Sequence, residues 1–147
     1  MASFLQSISG SSHNPDGRRG RVSSMEHHLV IEAESELSRA HYEHAWELLH
    51  LAPEASRGTP GALKVKLRVC QERRDWRTGS ATAARITSDF DLEYREVAGR
   101  FRLAHCSALC DMGFLTEARS VLFAVFKVWP EGREEVVSHP AIKNLWN

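Results

Sequence analysis

The chain has 147 residues, with 19 Lys+Arg against 19 Asp+Glu and a hydrophobic content of 42%. That is one domain of ordinary size with enough apolar mass for a core; it excludes a collagen and a wholly disordered tail, and argues against a dedicated nucleic-acid binder, which carries a basic excess. The longest apolar run covers residues 121–126, far short of the roughly 18 residues a membrane span needs.

Residues 1–24 hold seven Ser, three Gly, three Arg and one acid, Asp16. Such a stretch has little to bury and reads as a disordered tail. Its composition also echoes a transit peptide, and Met25 is an alternative start. Residues 25–147 are expected to fold. Ser23 and Glu26 have capping-box spacing, and Leu29, Ala33, Leu37 and Ala40 continue at helical intervals. A second helix is predicted over 42–51, with Ala45, Leu48 and Leu49 on one side, ended by Ala52-Pro53. Residues 54–59 read as a loop. Thr59-Pro60 then has the form of an N-cap followed by proline at the first helical position. Leu63, Leu67, Val69 and Cys70 give that helix its apolar stripe.

Arg74-Asp75-Trp76 forms the next corner, with Asp75 able to cap a helix over 77–88. A polar spacer at 87–91 leads to a long helix ending near Met112, where Gly113 is a natural C-cap. Thr116–Val128 is the most apolar helix and stops at Trp129-Pro130. One or two short helices follow, broken near His139-Pro140. No useful stretch alternates with period two, so no strand is assigned. Short links make consecutive helices antiparallel partners.

The corner Arg74-Asp75-Trp76 aligns with Met112-Gly113-Phe114 and with Ala40-His41-Tyr42, and Ala45, Gly79 and Ala118 share one column. Leu49, Ala83 and Leu122 follow in register, then Ala52, Ile86 and Val125. This pattern resembles the tetratricopeptide repeat family, a helix–turn–helix unit of about 34 residues. The third unit matches best: Cys106 and Ala118 stand at small positions, Leu109 and Leu122 at large ones, Gly113 at the turn and Pro130 at the close. Trp76 and Gly79 mark the second unit and Ala45 the first. His105, Lys66 and Gly79 depart from the family pattern. The resemblance implies an all-α, right-handed superhelical stack of antiparallel hairpins, an α-solenoid, with a C-terminal capping helix. It also implies a scaffold or adaptor that binds a partner protein or peptide in its concave groove.

Motifs for chemistry are lacking: there is no Gly-x-Ser-x-Gly, Walker loop or Gly-x-Gly-x-x-Gly. No enzyme and no cofactor is expected. Cys106-x-x-x-Cys110 beside His105 lacks a second ligand pair for zinc and reads as packing. His41, His44 and His50 read as solvated. The odd set Cys70, Cys106 and Cys110 reads as free thiols in a reducing, cytoplasmic setting.

The most suggestive feature is the basic cluster Lys64, Lys66, Arg68, Arg73, Arg74 and Arg77, opposed by Glu72 and Asp75. Lys64 and Arg68 share a helix face. In the repeat register they line the groove, with Arg100 from the next unit, and suit an acidic partner. Arg68 and Ala104 stand where the family's carboxylate clamp carries asparagines. The alternative is nucleic-acid binding through Lys64–Arg77, helped by Arg18, Arg19 and Arg21. Net neutrality argues against it. The chain is expected to be a monomer or weakly self-associated through residues 141–146.

Overall fold

Three helix pairs turn at corners of one backbone form. The computed structural model describes residues 28–143 and Leu145; the tail 1–24, the Ser23/Glu26 capping box and Trp146 lie outside the described residues. The helices are α1 (28–38), α2 (Tyr42–Leu51), α3 (Pro60–Arg73), α4 (Trp76–Ala83), α5 (Leu92–Asp111), α6 (Leu115–Val128), α7 (Arg133–Ser138) and α8 (Pro140–Lys143). Single 3-10 turns occupy Glu54–Gly58, where the sequence suggested a plain loop, and Pro130–Gly132. No strand occurs among the described residues.

At each corner one residue takes the left-handed conformation: Ala40 (φ 64°), Arg74 (φ 57°) and Gly113 (φ 84°). The following N–H then reaches back five residues, from His41 to Glu36, Asp75 to Cys70 and Phe114 to Leu109, each at 2.9 Å. This bond satisfies carbonyls that the helix end leaves open. Ala40 and Arg74 lie 34 residues apart, and Arg74 and Gly113 lie 39 apart. The corner register therefore differs by one from the sequence alignment: Arg74 corresponds to Gly113, not to Met112. Trp76 and Phe114 look equivalent as aromatics after a turn. Trp76 opens α4, however, while Phe114 is the residue before α6.

The column of Ala45, Gly79 and Ala118 stands five residues beyond each corner, and all three are buried. Each donates its N–H to the residue flanking its helix: His41, Asp75 and Phe114. Small side chains here let the paired helix come close. A Cβ at Gly79 would overlap the ring of Phe101 on α5. The Cys106 thiol donates to the Ala118 carbonyl at 3.2 Å, so α5 and α6 nearly touch there. Leu49, Ala83, Leu122, Ala52, Ile86 and Val125 are buried in the same seams.

Local chemistry sets the helix ends. Thr59 accepts from the Ala62 N–H, with Pro60 at the first position of α3. Asp75 accepts from the Thr78 N–H and starts α4. That helix ends at Ala83, shorter than the 77–88 expected.

Two apolar cores share α3. Val30, Ala33 and Leu37 of α1 join Leu48, Leu49 and Ala52, and meet Ala62, Val65 and Val69 of α3. Leu63, Leu67 and Cys70 face the other way, toward Phe101, Cys106, Leu122, Val125, Val136 and Ile142. Val69 thus belongs to a different stripe from the one expected of it. Successive hairpins touch through α2 on α3, α3 on α5 and α4 on α5, and α8 packs on α5 through the fully buried Ile142.

Candidate functional site

The cations expected to await a partner divide into two groups. Lys64 Nζ lies 3.2 Å from Glu34 on α1 and 3.2 Å from Glu93 on α5, and its side chain is only 22% exposed. Burial opposes its charge, but hydrogen bonds to Glu93 and Glu34 outweigh that and hold its pKa above the ordinary value. Arg100 makes ion pairs to Glu96 (2.9 Å) and to Glu135 of α7 (2.5 Å), and its guanidinium lies over Trp129. Arg73 joins Glu43 of α2 and stacks on Trp46. Arg95 joins Glu131 and donates to the Phe90 carbonyl. The Lys64 and Arg73 pairs connect one hairpin to the next, and those of Arg95 and Arg100 tie α5 to the segment after α6. The carboxylates cluster there because Glu43, Glu93, Glu131 and Glu135 sit in first turns, where helix dipoles favour negative charge.

Arg68, halfway along α3, has no ion pair with a described residue. The same holds for Lys66, Arg77, Arg85, Arg102 and Lys127. Lys66, Arg77 and Arg85 line one cleft between α3 and α4, together with Thr78, Ala81 and Thr82. Arg85 leaves the end of α4 and lays its guanidinium beside Gly58. Arg74 is taken up over the Trp76 ring. Trp76 stacks on His105 at 5.1 Å and meets Phe101 at 5.6 Å, which fixes the α4–α5 contact.

Arg85, Arg102 and Lys127 were outside the basic cluster visible by proximity in sequence. A signal for them exists. No Asp or Glu occurs between Asp75 and Asp89, between Glu96 and Asp111, or between Glu117 and Glu131. These acid-free stretches form α4, most of α5 and most of α6, which pack together.

The thiols are free. Burial pushes the Cys106 thiol up to about 12, and its proton is committed to Ala118. It is accordingly a packing group rather than a nucleophile. His41 Nδ1 and His44 Nδ1 both approach Glu36 Oε1, at 3.1 and 2.7 Å. The contacts from His44 and then His41 hold the Glu36 carboxyl below its ordinary range. No group of three or more His, Cys, Asp or Glu suited to a metal occurs among the described residues. None of the described helices is long and apolar enough to cross a membrane.

No family model matches the chain, no curated protein matches it, and no solved structure matches it.

Proposed function

We propose that this chain is a non-catalytic adaptor of the tetratricopeptide kind, an α-solenoid of three hairpins that holds an acidic segment of a partner protein. The observation that carries this reading is the cleft of Lys66, Arg77 and Arg85, three cations that meet no carboxylate among the described residues of a neutral protein. Where charges exist to hold the fold, they are paired; these are not. Thr78 and Thr82 add hydroxyl groups beside them. Arg68 is not among the residues lining this cleft, while Lys64 links hairpins and Arg100 ties α5 to α7.

A protein partner suits the cleft better than a nucleic acid. Three cations neutralise few phosphates, and phosphate neutralisation supplies most of the affinity for duplex or single strands. No large aromatic lines the cleft, and Trp76, next to Arg77 in the chain, is already stacked on His105 and covered by Arg74.

The test is co-purification from the native source with cross-linking, comparing the wild-type chain with a Lys66→Glu/Arg77→Glu/Arg85→Glu variant. The expected result is a partner whose acidic segment cross-links to Lys66 and is lost from the variant. In parallel, anisotropy with labelled RNA and DNA oligonucleotides at low salt is expected to show no binding. A partner retained in full by the variant, or tight oligonucleotide binding that falls steeply with salt, would replace this reading.

A further inference from the structure

Another cation without an ion pair among the described residues lies apart from that cleft. Arg102 of α5 enters a cavity of about 480 Å³, within the usual range for small ligands. The cavity is lined by the end of α4, the link to α5, and α6, and opens to solvent on one side. Ala83, Ile86 and Val128 supply buried apolar wall. Thr87, Ser88 and Lys127 are exposed at its edge.

Two other half-buried cations are neutralised within the fold, whereas Arg102, like Lys66 and Arg68, is not neutralised by any described residue. Lys64 and Arg95 each meet a carboxylate. Arg102 meets none among the described residues, and burial alone pushes its pKa down. Its titratable neighbour one turn along, His105, offers no negative charge. Burial, then the Arg102 charge, lowers the His105 pKa. Nor do the helix ends around the cavity compensate. The carbonyls of Thr82, Ala83 and Thr87 accept from Arg85, Ile86 and Phe90, and that of Val125 accepts from Trp129. A half-buried guanidinium with no counter-charge is costly in the free protein. Such a group has a physical reason to be there if a ligand brings the anion.

We propose that this cavity binds a single carboxylate carried on a short apolar body. The carboxylate forks onto the Arg102 guanidinium, with Lys127 and the Thr87 and Ser88 hydroxyls around it. The apolar body lies against Ile86 and Val128. A guanidinium presents two parallel N–H groups that match a carboxylate. A phosphate fits less well, because it brings nearly two charges to walls of alanine, isoleucine and valine. The carboxylate belongs either to a free aliphatic acid or to the apolar C-terminal residue of a peptide. The site includes none of Lys64, Lys66, Arg68, Arg77 or Arg85, so it stands or falls independently of the adaptor cleft.

The test follows the Ile86 and Val128 methyl resonances while four probes are added to the full chain: hexanoate, hexanol, N-acetylleucine and N-acetylleucinamide. Saturable shifts are expected with the acids and not with hexanol or the amide. Tighter binding of N-acetylleucine assigns the site to a chain terminus; tighter binding of hexanoate assigns it to a free acid. Arg102→Met is expected to weaken acid binding by about tenfold or more, in keeping with loss of a charge-assisted fork. Arg102→Lys, which keeps the charge, should weaken it less, and Lys127→Gln by about threefold. The acids should also raise the Tm of the wild-type chain and not of a folded Arg102→Met. If Arg102→Met does not fold, the Lys variant and the contrast between hexanoate and hexanol carry the result. Equal shifts from hexanoate and hexanol, or no saturable shift from either acid, would overturn the proposal.

Discussion

The two sides of this molecule treat positive charge in opposite ways. Where elements join, Lys64, Arg73, Arg95 and Arg100 each meet a carboxylate from another element. Around α4, Lys66, Arg77, Arg85, Arg102 and Lys127 meet none among the described residues. The chain is neutral as a whole, so the difference comes from placement rather than composition. Acids stand in first turns at the junctions, whereas α4 and the packed stretches of α5 and α6 lack them. One set of cations serves cohesion; the other has no counter-charge among the described residues.

The sharpest way to break this contrast is to separate α4 from α5. Gly79→Ala drives a methyl into the Phe101 ring, which is fully buried and has no room to retreat. We expect a loss of about 2 kcal/mol after the gain in helix propensity, measured by urea unfolding. Amide shifts should move around Arg102, next to Phe101 in the chain, more than around Lys64.

Lys64→Met comes next. It leaves Glu34 and Glu93 without their shared cation at a partly exposed site, and should cost about 1 kcal/mol. A calorimetric Tm equal to wild type would show that the junction pairs are ornamental.

Acid should weaken the paired side. Hydrogen bonds from His44 and His41 hold Glu36 below the ordinary 4.5; Arg73, Arg95 and Arg100 do the same for Glu43, Glu131 and Glu135. A depressed folded pKa gives stability that is present above 4.5 and lost as pH falls through the folded value. The lowered His105 pKa removes stability as pH falls from the ordinary 6.5, and the carboxylates add a second fall in Tm below 4.5 that is shallower in Glu135→Gln. An unchanged slope in that variant would assign the acid loss to other groups.

The smallest stability effect belongs to the unpaired side. Lys66→Gln/Arg77→Gln/Arg85→Gln should leave unfolding within about 0.5 kcal/mol of wild type, since nothing in the fold depends on those charges. Partner binding should nonetheless fall. A clear loss of Tm would mean these cations hold the structure after all.

Helices and their ends were legible in sequence because local rules set them. Thr59-Pro60, Asp75 and Gly113 act through bonds only a few residues long. The corner register slipped by one because two of the three left-handed residues, Ala40 and Arg74, carry no glycine signature. The basic cluster was legible, but its neutralisation was not. Lys64 meets Glu93 across 29 residues and Arg100 meets Glu135 across 35, distances that only packing closes. Arg102 was legible only as one letter in an acid-free run; its burial follows from α4, α5 and α6 meeting there.

The position of α3 also sets how the molecule comes apart. With Val65 and Val69 on one side and Leu63 and Leu67 on the other, neither core has a wall of its own there. If α1 and α2 peel away, α3 bares an apolar face to water, so local opening at that end is penalised rather than free. Amide exchange in the middle of α3 should consequently report global unfolding, while exchange in α1 reports the cost of exposing that face.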